Sequence, residues 1–340
     1  MRKLTICIIM ALLLTCLAGC GADGNPVQDT EPDDEIAEIT VSEPDDGITE
    51  ITVSDWEGFV KAIEPGHVIV LDGGVSMPEF KDGGSEVDLI LPDDFGNPYI
   101  SWDIVYDGYE LTITGVTGLT IRGGAGGRSP LTNVAIYADV LRFSDCADIT
   151  IENISAGHTA TGTSGCDAAV FEFWGCGNIA IRDTGMYGCG AEGLRLYGVD
   201  GAAVENSEIF ECTERLLWID ESTDITFRGV TFRDTGYNNL IPILYSRDIL
   251  FEDCVFRDNF TIEYDYSPEY LPEIIYGSDS RKIVVRNCDF INNDTFALSN
   301  VVTDIEPVIF ENCTFSGNKF EDYGELQDGV WLFSGAVWGE

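Results

Sequence analysis

The chain has 340 residues, with 60 acidic and 18 basic side chains and a formal net charge of −42. Duplex nucleic-acid binding and electrostatic docking on an anionic lipid surface both need Lys and Arg in excess, so this balance excludes them. At 44% apolar and with 37 Gly against 12 Pro, the composition is that of a folded strand-and-turn protein, not a disordered one.

The N-terminus reads as an address. Arg2 and Lys3 precede an apolar stretch, Leu4 to Leu17, too short to span a bilayer comfortably. It ends in Leu17-Ala18-Gly19-Cys20, which resembles the lipobox of bacterial lipoproteins. That resemblance implies a signal peptide over residues 1–20, lipid on Cys20, and an extracytoplasmic protein anchored to the bacterial cell membrane or outer membrane. Removing Arg2 and Lys3 takes the mature charge from −42 to about −44. Residues 21–54 then read as an acidic linker. EPDDEIAEITVS at Glu31 is followed by EPDDGITEITVS at Glu43, ten of twelve positions matching. Eleven acids and no Lys or Arg between Asp23 and Ser54 predict an extended, solvated tether.

Residues 55–340 read as one domain. Ser54 and Glu57 fit a capping box, and Trp56, Phe59, Val60 and Ile63 recur at helical spacing, predicting a short amphipathic capping helix. PGHVIVLDGG would then begin the first rung. From there a unit apolar-x-apolar-x-(Asn/Asp/Gly) starts at Leu119, Ile149, Ile179, Ala202, Ile225, Ile249, Ile283 and Val308, at spacings of 30, 30, 23, 23, 24, 34 and 25. Eight short strands at this period predict a stacked array in which each unit covers its neighbour.

Further columns fall into register. Met186, Ile209, Phe232, Phe256, Phe290 and Phe315 lie seven residues past the unit starts, and Cys254, Cys288 and Cys313 five past. Ten past them come Cys189 and Cys212, then Asn259, Asn293 and Asn318. Matched columns, including Cys146 with Cys176, predict small buried ladders in preference to disulfides. Cys166 stands outside them. No Cys has CxxC spacing and there are only two His, so a metal–thiolate centre is not expected. Phe320, Tyr323, Trp331, Phe333 and Trp338 would cover the far end of the coil.

The rungs, together with NPYISWDIVYDGYELTITGVTGLTIRGG, NISAGHT and MYGCGAEGLRL, resemble the right-handed parallel β-helix of the pectin-lyase-like superfamily. The resemblance implies an all-β solenoid and, since carbohydrate-active β-helices use an outer sheet groove, a glycan partner.

Counting back from the unit starts, Leu141 and Phe143, Phe171 and Phe173, Leu194 and Leu196, and Leu217 and Ile219 point inward. Arg142 and Ser144, Glu172 and Trp174, Arg195 and Tyr197, and Trp218 and Asp220 then point outward, with Tyr245 and Tyr276 extending the face. Aromatic platforms beside charged groups suit sugar rings, whose CH faces stack and whose hydroxyls need polar partners. Arg142, Glu172 and Arg195 equally form a salt-bridge ladder. His158, on a loop running from Ser155 to Ala168, reads either as an acid or base over this face or as a structural residue hydrogen-bonded to a turn, and Tyr187 as a residue reaching the face. The insertion Asp258 to Glu273 reads as a solvated lid loop; its carboxylates, Glu263, Asp265 and Glu269 among them, lack EF-hand spacing.

Three functions remain open. The first is a lipid-anchored polysaccharide-binding protein without catalysis, whose ligand-binding residues are Trp174, Tyr197, Trp218, Arg142, Tyr187 and Tyr245. The second is an enzyme on uronate-containing glycan. Polygalacturonase-like motifs are out of pattern, and a pectate-lyase-like reaction would use Arg195 or His158 as base with Glu172 and Asp220 as carboxylates, Ca²⁺ being the implied cofactor. The third is a structural surface protein.

Overall fold

Corners of the coil take residues that can adopt a left-handed backbone, and the sequence supplies one at a fixed place in seven of the eight units. In a computed structural model, the described residues are 40–42, 49–79, 90–159, 168–188, 190–236, 239–260, 273–301, 308–322, 325–327 and 330–333. The fifth position of the unit turns the chain out of its first strand. Asn153, Asp183, Asn206, Asp253, Asn287 and Asn312 there have φ between 49° and 55°. Asn and Asp tolerate this region because their short side chains bond locally, and Gly because it lacks a Cβ. The same conformation recurs at Glu211, Asp234, Asp258 and Asn292, and at Asp145, Glu221, Tyr245 and Asp279. The acidic, Gly-rich composition is thus partly a corner requirement.

Among the described residues, three corners per turn divide the chain into a 13-stranded, a 9-stranded and a 10-stranded sheet. All eight sequence units occupy consecutive places in the first sheet, Thr120–Gly123 through Val308–Glu311. Their register aligns Ile149 with Ile179, Ala202, Ile225, Ile249 and Ile283, and neighbouring rungs run parallel. The molecule is a parallel β-helix. Met186, Ile209, Phe232, Phe256, Phe290 and Phe315 form one column of the second sheet, as the spacing predicts. Phe256 stacks on Phe290 at 4.6 Å and Phe232 on Phe256 at 4.8 Å, the spacing of the strands themselves.

At many corners the next residue is polar, points inward and accepts the backbone N–H of its counterpart one rung earlier. Ser246 Oγ accepts from Ser222 N at 3.0 Å, and Ser280 Oγ from Ser246 N at 2.9 Å. At another corner Thr235, Asn259, Asn293 and Asn318 do the same. Cysteine serves in these ladders too. Cys176 Sγ accepts from Cys146 N and Cys288 Sγ from Cys254 N, both at 3.4 Å. The six described cysteines are free thiols. Hydrogen bonding with Cys254, then burial, pushes the Cys288 thiol up to about 12 against the opposing bond with Cys313, which leaves it unreactive.

The ends depart from the sequence reading. The helix Trp56–Ala62 forms and buries Phe59, Val60 and Ile63, but its N-cap is Asp55, whose carboxylate accepts from Gly58 N at 2.7 Å. The linker, expected to run to residue 54, gives way earlier to strands. Thr49–Val53 pairs parallel with His67–Leu71, and Thr40–Ser42 pairs antiparallel with Thr49–Val53. The two ITVS copies thus pair with each other, because Ile51 and Val53 alternate onto the core and are buried there. At the other end the aromatic segment extends the sheets. Lys319–Asp322 joins the third sheet, and Val330–Phe333 extends the first antiparallel to Val308–Glu311, with Glu325–Gln327 antiparallel at its edge. The chain divides into Met1–Ile36 and Ala37–Glu340, and the described residues lie in the second unit. The signal segment with Cys20, residues 21–39 and 43–48 of the linker, Cys166, Cys189, residues 261–272 of the insertion, Tyr323 and Trp338 lie outside the described residues.

Candidate functional site

Strict alternation would place every second residue of a third-sheet strand outward. The strands break that phase at their start. Val140 and Leu141, Val170 and Phe171, Leu216 and Leu217, and Leu240 and Ile241 are consecutive pairs in which both side chains are fully buried. Leu216 N and Leu217 N both donate to Leu240 O, at 2.8 and 3.2 Å, the sign of a bulge. Gly193 fits the same position because a Cβ there would meet Ile209 Cγ2 at 2.2 Å. The phase shift turns Glu192 and Arg215 onto the outer face beside Arg195.

Three charged rows result. Glu172 lies between Arg142 and Arg195, at 3.8 and 3.5 Å. Glu192 takes Arg195 at 2.5 Å and Arg215 at 2.8 Å. Arg142 also reaches Glu110 at 3.3 Å, and Arg215 reaches Glu214 at 3.2 Å. Glu110, Asp139, Glu172 and Glu192 are all buried. The predicted salt-bridge ladder exists, but it is sunk into the face. Burial alone would lower the Arg195 pKa; the carboxylates of Glu192, Asp139 and Glu172 outweigh it and raise it, so the guanidinium stays charged.

Asp139 behaves oppositely. Burial, then a hydrogen bond with Glu172 and the charges of Glu172 and Glu110, hold its pKa well above 3.8. A carboxyl whose pKa is higher folded than unfolded binds more protons when folded, so it loses stability as pH rises from 3.8 through the folded value. Asp139→Asn keeps an acceptor for Ala169 N and can donate to Glu172 as the protonated acid does. Thermal unfolding from pH 4 to 8 should therefore show a variant whose Tm relative to the parent climbs with pH. A pH-independent difference would contradict the assignment.

Beside the charged rows runs an aromatic one. Ser144, Trp174, Tyr197 and Asp220 occupy successive rungs of one column. Trp174 and Tyr197 stack at 4.1 Å and 23°, and the small Ser144 leaves Trp174 43% exposed. Trp218 sits in the Glu172–Arg195 column, with the Arg215 guanidinium 4.9 Å from its ring. Burial, then the charge of Glu221, raises the Asp220 pKa against a hydrogen bond with Trp218. Asp220 Oδ1 is buried with no hydrogen-bond partner among the described residues. Glu172, Trp174, Glu192, Arg195, Tyr197, Trp218 and Asp220 line, with Glu214, Arg215 and Ala191, a groove of about 330 Å³.

Arg142, Glu172, Trp174, Arg195, Tyr197, Trp218 and Asp220 are therefore brought together on one face. Tyr276 pairs with Pro242 on the same sheet. Three predicted residues are placed elsewhere. Tyr245 is 64% exposed at a left-handed corner, and Leu244 takes the register position opposite Asp220. Tyr187 belongs to the second sheet, stacked on Phe210 at 5.6 Å. His158 ends a second-sheet strand, is 3% exposed, and bonds through Nε2 to Ala138 O at 2.8 Å. Burial lowers its pKa, so it sits neutral and away from the groove lining. Glu192, which the sequence reading puts on a loop with Tyr187, starts a third-sheet strand instead, and Arg215, Glu110 and Asp139 were not singled out; for Glu192 and Arg215 the bulge reverses the alternation on which orientation was counted.

The donor set does not suit Ca²⁺. Glu172 and Glu192 already face guanidinium groups, and no group of three or more His, Cys, Asp or Glu among the described residues is arranged to hold a metal ion.

The sequence profile of the family described as right handed beta helix region matches residues 117–270 and 168–337. The chain belongs to this family. No curated protein matches it. Among solved structures, this β-helix is similar to a pectate lyase from Paenibacillus sp. 0602, at 10% identity over 78% of this chain and 77% of that one, with TM-score 0.49. It is similar to pectate lyase Pel9A at 12% identity over 78% and 71%, TM-score 0.43. It also resembles PfbA, a surface adhesin of Streptococcus pneumoniae, at 9% identity over 83% and 65%, TM-score 0.36. These are likenesses of fold.

Proposed function

We propose that this β-helix binds extracytoplasmic polysaccharide along the third-sheet groove, without cleaving it, while lipid on Cys20 holds it at the membrane. The observation that carries the binding reading is the exposed Trp174–Tyr197 stack beside Trp218 on a groove floored by charged side chains. Aromatic faces stack on sugar CH groups, and the flanking carboxylates and guanidinium groups take hydroxyls. The ion pairs support the reading without catalysis. A lyase base must give up its proton, whereas the carboxylates of Glu192 and Glu172 raise the pKa of Arg195. Asp220, half-buried with a raised pKa, is what favours the second reading, a glycan-cleaving enzyme.

Calorimetric titration against a polysaccharide panel tests the reading, with reducing ends and unsaturated uronate followed in parallel. Saturable binding without product is expected. Turnover that disappears in Arg195→Ala or Asp220→Asn would overturn the binding-only reading, and a panel with no ligand would favour a structural role. For the anchor, Cys20→Ala should move the protein from the membrane fraction to the soluble one; unchanged fractionation would remove the lipid from the account.

A further inference from the structure

The pairing of charges in the groove bears on which glycan it takes. Four carboxylates, Glu172, Glu192, Glu214 and Asp220, line it against two guanidinium groups, Arg195 and Arg215. Arg195 is held by Glu172 and Glu192, and Arg215 by Glu192 and Glu214. Arg142, beside the groove, is held by Glu110 and Glu172. A uronate entering here would find each of these guanidinium groups already committed and carboxylates in excess around it. In the groove lining, the polar atom with no hydrogen-bond partner among the described residues is an acceptor, Asp220 Oδ1, on a carboxyl that also takes a hydrogen bond from Trp218 and lies next in the aromatic column to Tyr197. Leaving a buried acceptor unmatched is costly, and a cationic donor satisfies it best.

We propose that the groove selects amino-sugar glycans, seating an ammonium group on Asp220 while the sugar ring packs on Trp174 or Trp218, and that it rejects uronates. This rests on the glycan-binding reading above. It supplies the ligand class: a polymer of hexosamine with free amines. The strongly negative chain, at −42, would also concentrate such a polycation near the surface.

The experiment is calorimetry on the purified full chain with three pentamers: glucosamine, N-acetylglucosamine and galacturonate. At about 0.15 M salt the screening length is about 8 Å, which suppresses long-range attraction. The glucosamine pentamer should bind about tenfold tighter than its N-acetylated counterpart, the step expected for one charge-assisted hydrogen bond, and galacturonate should not bind measurably. Asp220→Asn should bring the two hexosamine pentamers to within about twofold of each other. Galacturonate binding as tightly as glucosamine would overturn the selectivity while leaving the groove reading intact. An amine preference that survives Asp220→Asn would overturn the role of Asp220. Glucosamine binding unchanged in Trp174→Ala with Trp218→Ala would show attraction to the acidic surface and overturn the site. Failure of the glucosamine pentamer would overturn this proposal, while the polysaccharide panel decides the groove reading.

Discussion

Glu192→Ala should lower the unfolding free energy by about 3–5 kcal/mol, the cost of removing one partner from a buried ion pair. Glu192 is 1% exposed and receives two guanidinium groups, Arg195 at 2.5 Å and Arg215 at 2.8 Å. Its loss strands two cations in the groove floor, and Glu172 and Glu214 compensate only in part because they already share those partners. An exposed pair on the same solenoid, such as Lys319 with Asp294, should cost less than about 1 kcal/mol when broken. Urea unfolding of both variants separates the cases. A cost for Glu192→Ala as small as that of the exposed pair would mean that the charged rows are solvated and do not shape the groove.

Asn293→Ala is the second large effect, about 3 kcal/mol. Asn293 is fully buried at the centre of a corner ladder. Its Oδ1 accepts from Asn259 N at 3.2 Å and Asn259 Nδ2 at 3.0 Å, and its Nδ2 donates to Phe256 O at 2.9 Å. Alanine leaves a backbone N–H and a carbonyl without partners, each costing about 1–3 kcal/mol when buried. Because rungs contact mainly their neighbours, the loss should loosen adjacent turns first and show as faster proteolysis between residues 273 and 322. Wild-type unfolding and proteolysis in this variant would contradict the ladder as a source of stability.

The fold was legible because the solenoid writes each rung in the same phase. Eight units, the Phe column and the Cys and Asn ladders could be aligned from spacing alone, and the register of the strands matches them. The ITVS strands were less legible because eleven acids around them point to a tether, while the burial of Ile51 and Val53 depends on a helix that follows in the chain. On the candidate face, counting by twos placed Arg142, Glu172, Trp174, Arg195, Tyr197, Trp218 and Asp220 correctly outward. It failed where geometry leaves period two. The bulge at Leu216 and Leu217 hid Glu192 and Arg215, and the left-handed corner at Tyr245 took that ring off the column. His158 and Tyr187 were misplaced because their loops were assigned to the wrong edge of the coil; both residues end strands of the second sheet.

The central claim is that the third-sheet groove is a glycan site built on its tryptophans. The measurement that tests it most directly is the calorimetric affinity of Trp174→Ala and Trp218→Ala, singly and together, for whichever glycan the parent protein binds, with circular dichroism confirming the fold. Each substitution should weaken binding by about thirtyfold, as expected for a buried aromatic anchor worth about 2 kcal/mol, and the pair should abolish it. Affinity unchanged in the folded double variant would contradict the account and move the site off this face.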